Sequence, residues 1–87
     1  MSEYVEARYA RLKLQEARGA NEDQASKLVN DLLRDLSPVR TFNAARAHAL
    51  TSIRVLALSL DQPESLHLLE WEAADQATEA WCRNAYI

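Results

Sequence analysis

Residues 37–87 read SPVRTFNAARAHALTSIRVLALSLDQPESLHLLEWEAADQATEAWCRNAYI, two long apolar-periodic runs separated by Asp61-Gln62-Pro63. Each run outlasts an ordinary strand, and a proline break between them leaves a tight turn, so the stretch predicts two long antiparallel helices. Ser37 suits a helix cap and Pro38 the first helical position, which places the first of the two over 38–60. At about 100° per residue, Val39, Phe42, Ala45, Ala49, Leu50, Ile53, Leu56, Ala57 and Leu60 share one side. Val55 and Leu58 point away from that stripe. Residues 53–60 could also be read as a strand, but the alanine-rich lead-in and the lack of a partner strand favour helix.

In the second run, Asp61 or Gln62 is the expected cap, with Pro63 and Glu64 in the first turn of a helix over 63–84. Leu66, Leu69, Ala73, Ala77 and Ala80 form one stripe, and Trp71, Ala74, Trp81 and Ala85 lie beside it. Together they span an apolar arc of about 200° on the same wheel. One covered face needs little more than about 100°, so this helix is expected to have two neighbours.

Two further helices precede the hairpin. Ser2 can cap a helix over 3–18, with Glu3 and Glu6 at its positive end and Gly19 free to take a left-handed stop. Its apolar residues, Val5, Tyr9 and Leu12 on one side and Ala10, Leu14 and Ala17 on another, are separated by basic residues. Such a helix is expected at an edge of the core. Asn21-Glu22-Asp23-Gln24 then forms a capping-box-like start for a helix over 22–36. There Ala25, Leu28, Val29, Leu32, Leu33 and Leu36 make one continuous face, with polar residues opposite. The expected fold is all-α: a small four-helix bundle with a long C-terminal helical hairpin, residues 1–87 forming a single helical domain.

Composition narrows the function classes. One glycine and few β-branched residues leave little material for sheets or phosphate-cradling loops. The net charge of −3 opposes bulk attraction to nucleic acid or anionic membrane. That charge is uneven: residues 1–60 carry nine basic and seven acidic groups, whereas residues 61–87 carry Arg83 against six acids. Cys82 is the only cysteine, so no internal disulfide forms, which suits a reducing cytoplasm. The N-terminus has neither the basic nor the apolar region of a signal peptide, and no segment has the apolar length of a membrane span. The protein is expected to be cytoplasmic.

No catalytic, cofactor or metal constellation emerges. His48 and His67 lie on different helices without ligand-type residues at i+4, and Cys82 lacks a second thiol at ligand spacing. Cys82 also sits near a helix C-terminus, where the dipole opposes a thiolate. Glu72, Asp75 and Glu79 read as a solvated face.

Two sets of residues remain. Arg40, Arg46 and Arg54 fall in a stretch, Leu36 to Leu60, that contains no acid. They could contact phosphates, which makes a nucleic-acid-binding regulator the alternative reading. They do not form one continuous face, however, and pairing with the acidic final helix accounts for them more simply. Trp71, Trp81, Val55 and Leu58 suggest a second apolar surface, since Trp concentrates binding energy at interfaces and two indoles strain the core of 87 residues. The expected function is therefore stoichiometric protein binding by a non-enzymatic regulator, adaptor or inhibitor that self-associates as a homodimer. An inhibitor of a nucleic-acid-handling complex is one form of this.

Overall fold

The computed structural model describes residues 2–38 and 42–86. It contains four helices, α1 (Glu3–Arg18), α2 (Glu22–Leu36), α3 (Ala44–Ser59) and α4 (Glu64–Ala85), and no strand among the described residues. Each helix packs on its neighbours in sequence, and α4 closes back on α1, giving an up-down-up-down ring around one core. The α3–α4 pair is the most extensive. Its antiparallel sense is fixed at the far end from the turn, where Asn43 before α3 donates to Asn84 of α4 at 3.4 Å.

The caps explain where the helices begin. The Ser2 hydroxyl accepts from the Val5 amide at 3.1 Å, and the Asn21 carbonyl oxygen from the Gln24 amide at 2.9 Å. Each satisfies one of the amides that a helix start leaves without a partner. Gly19 keeps φ at −86°, so α1 stops without the expected left-handed residue.

Two boundaries differ from the sequence expectation. The helix expected from residue 38 begins at Ala44, where Asn43 caps it by accepting from the Arg46 amide at 3.0 Å. Ser37 instead finishes α2, its hydroxyl donating to the Arg34 carbonyl at 2.9 Å. Phe42, expected in the core stripe, is thereby left outside the helix and 86% exposed. Val39 lies outside the described residues. The last helix starts at Glu64 with Pro63 in the cap position, and neither Asp61 nor Gln62 supplies a side-chain cap.

The core is built from Ala7, Ala10, Leu14 and Ala17 of α1 and Ala25, Val29, Leu32 and Leu36 of α2. From the hairpin it takes Ala49, Leu50, Ile53, Leu56, Leu60, Trp71, Ala74, Ala77 and Trp81. α1 is thus a full wall of the bundle; its alanines let it lie close, while Val5 and Leu12 face outward. Tyr9 ties α1 to α2 by donating to Asp35 at 2.8 Å.

Candidate protein-docking face

The four residues expected to form the second apolar surface divide into two groups. Trp81 is 0% exposed and Trp71 is also buried, so both indoles belong to the core of a single chain. The spacing Trp71, Ala74, Thr78, Trp81, Ala85 alternates three and four residues, as a seam between packed helices does. That seam, rather than the Leu66-Leu69-Ala73-Ala77-Ala80 stripe, faces inward: Trp71, Ala74, Thr78 and Trp81 are buried, and of the stripe Leu66, Leu69, Ala73 and Ala80 are exposed and only Ala77 is buried. The two large indoles set the rotation of α4 because they bury the most apolar area per residue.

Val55 and Leu58 do face outward, Leu58 at 81% exposure, and so does Leu69 at 80%. The ion pairs Arg11–Glu79 and Arg18–Glu72, both 3.7 Å, put α1 on the Glu72/Glu79 flank of α4. Leu66, Leu69, Ala73 and Ala80 lie roughly 60–140° further round the helix, on its outer side. On α3, the Arg46 contact with the Leu36 carbonyl marks the α2 flank, and the half-covered Ala45, Ser52 and Ser59 mark the α4 flank. Ala44, His48, Thr51, Val55 and Leu58 all fall within about 50° of the outward direction, and all are exposed. The outer side of the α3–α4 hairpin is therefore one continuous surface. It carries Leu, Val and Ala with Thr51, His48 and Gln76, has Arg83 towards its Glu72 edge, and has no acid at its centre.

The acids of α4 lie elsewhere. Glu72, Asp75 and Glu79 are on the α1 flank and Glu70 is half-buried. This segregation keeps the centre of the outer face free of acids while the molecule as a whole is acidic.

Of the three arginines, Arg46 is committed inside the bundle. It is 5% exposed; its Nε donates to Glu6 at 2.6 Å, and its Nη2 to the carbonyls of Leu36 and Pro38 at 2.6 and 3.1 Å. Its guanidinium also lies 5.9 Å from the Trp81 ring, whose Nε1 donates to Glu3 at 2.9 Å. The intramolecular pairing expected for Arg46 is thus with α1, not with the acidic α4. Glu3 and Glu6 serve this knot, which joins all four helices at one end of the bundle. Arg40 lies outside the described residues. Arg54 is exposed at the α2-side edge of the outer face, and it is the one of the three that is described and open to solvent.

Cys82 is buried, and burial pushes its thiol pKa up against the opposing pull of Arg11 and Arg8. A thiol held protonated and covered is a poor nucleophile. Among the described residues, no three His, Cys, Asp or Glu side chains converge as metal ligands, and no helix is long and apolar enough to cross a membrane.

A depression of about 250 Å³ lies at the end of the bundle opposite the Arg46 knot, over Leu60 and Trp71. Arg18, Glu22, Glu64 and His67 line it. It falls below the usual size of small-molecule sites, and its mixed charge favours neither an anion nor a cation.

The sequence reading names Trp71 and Trp81, and not Leu66 and Leu69, for the outward side of α4, and the structure has them the other way round. The signal that separates the two stripes is the three-four spacing of the tryptophan seam. No family model, no curated protein and no solved structure matches the chain.

Proposed function

We propose that the protein is a binding module without catalytic chemistry of its own, acting by stoichiometric protein–protein interaction through the outer face of the α3–α4 hairpin. The supporting observation is that this face exposes Val55, Leu58, Leu66 and Leu69 on two adjacent helices with no acid among them. Exposed single leucines are ordinary; a contiguous apolar patch on a small chain marks an interaction surface. A preformed face of packed helices needs little reorganisation to bind, which favours stoichiometric capture over transient contact. Regulation, adaptation or inhibition are the roles such a module performs, in a reducing cytoplasm that suits its single buried thiol.

Comparative capture tests this. The immobilised parent and a Leu58→Lys/Leu69→Lys variant are each offered a host extract and, separately, an untagged copy of the chain. Both substitutions fall on exposed positions, so the variant stays folded. A protein retained by the parent and lost by the variant supports the proposal. Equal retention by both shows that binding uses another surface.

A further inference from the structure

We propose that the occupant of this face is a second copy of the chain, related by a twofold axis that lies between the two hairpins and runs parallel to the helices. This rests on the reading of the outer face as a protein-docking surface and adds the partner and the register.

Size is the first consideration. α3 has 16 residues, or about 24 Å of helix, and two helices at about 10 Å spacing make a face about 20 Å wide. Two copies stacked on it cover roughly 1,000 Å² in plan before side-chain relief is added, the size from which specific interfaces begin. A twofold contact needs only one self-complementary patch.

Two closed face-to-face arrangements exist for a hairpin. In one, the axis crosses the helices and α3 lies on the partner's α3. In the other, it runs along them and α3 lies on the partner's α4, so that all four stacked helices alternate in direction. Charge selects the second. α3 contains no acid and carries Arg54 at its outer edge, whereas α4 carries Glu72 and Glu79 at its own, paired at 3.7 Å within the chain to Arg18 and Arg11, with Arg83 near its C-terminal end. Stacking α3 on α3 sets basic edge against basic edge. Stacking α3 on α4 brings each basic edge over an acidic one, with Arg54 near the partner's Glu72.

The register follows from the hairpin itself. Asn43 lies level with Asn84 in one chain, and an axis along the helices preserves height. Leu58 therefore meets the partner's Leu69, Val55 meets the partner's Ala73, and Thr51 meets the partner's Gln76. Large residues face small or apolar ones, and Gln76 meets a hydroxyl.

Cross-linking tests the register. Leu58→Cys and Leu69→Cys chains are prepared separately, mixed, and treated with a short bismaleimide. The parent is the control, since its buried Cys82 is shielded. The mixture is expected to yield a species of twice the chain mass in up to about half the chains, the statistical share of mixed dimers, and neither variant alone to yield it. In parallel, Arg54→Glu is expected to weaken self-association by about two- to fivefold per contact, as for an exposed ion pair. Adding Glu72→Arg together with Arg18→Glu, which keeps the intrachain pair of α4 with α1, is expected to restore it. Cross-linking of a Thr51→Cys chain to itself, without the 58–69 product, overturns the register in favour of α3 on α3. A parent that is monomeric and uncross-linked throughout overturns the second copy as occupant. The capture comparison then decides separately whether the face binds a different protein.

Discussion

Arg46 shows how a residue type misleads when read by charge alone. A guanidinium in an acid-free stretch looks like a phosphate ligand, yet this one sits among Ala45, Ala49 and Leu50 on the stripe that faces the core. There it supplies the donors for Glu6 and for two carbonyls that the end of α2 leaves open. Glu6 keeps a side-chain exposure of 23%, so water reaches it once Arg46 is gone, and the larger loss is the carbonyls left without a donor, about 1–3 kcal/mol for such a group. That is a substantial part of the stability of a domain of this size, on the order of 5 kcal/mol. Arg46→Met is therefore expected to lower the urea midpoint distinctly, while Arg54→Met shifts stability by less than about 0.5 kcal/mol. Equal midpoints for the two variants would remove the knot from the account. Cys82 carries the second prediction at this scale. Burial raises its pKa and covers it, and the thiolate is the reactive form, so its labelling rate by an aromatic disulfide reagent rises with pH. At any one pH it is expected to be far slower in the native chain than in the chain unfolded by urea. Matching rates would place the thiol at the surface.

At the scale of elements, legibility followed the contrast between faces. α2 has one apolar side and one polar side, so its phase and limits were readable, and Ala25, Val29, Leu32 and Leu36 are buried as expected. Leu32→Ala is expected to cost about 2–5 kcal/mol, and a melting temperature equal to the parent's would contradict its central place. α4 is apolar on two sides, so periodicity alone could not say which one faces inward; the bulk of Trp71 and Trp81 decides it. The start of α3 differs from the expectation for another reason. Ser-Pro serves equally to end one helix and to begin another, and the asparagine that caps α3 stands six residues further on. Asn43→Ala is expected to cost about 1 kcal/mol, as the loss of a capping side chain does, and Ser37→Ala distinctly less. The reverse order in thermal unfolding would return the start of α3 to Ser37.

For the whole molecule, the four helices make a closed ring whose core takes one face of each, yet the hairpin is apolar on both of its sides. The apolar arc noted for α4 from sequence is met in part within the chain, where α4 packs on both α3 and α1, and Leu66, Leu69, Ala73 and Ala80 stay outside it. The location of this surplus was not legible, because it depends on which stripe the tryptophans claim. A small bundle gains stability when such a surplus is covered by a partner. Multi-angle light scattering over a wide concentration range, comparing the parent with the Leu58→Lys/Leu69→Lys variant, tests this most directly. The account predicts that the parent reaches twice the chain mass, with a melting temperature that climbs with concentration, and that the folded variant stays at the mass of one chain. A parent that remains monomeric at every concentration, or a variant that dimerises as readily as the parent, would contradict it.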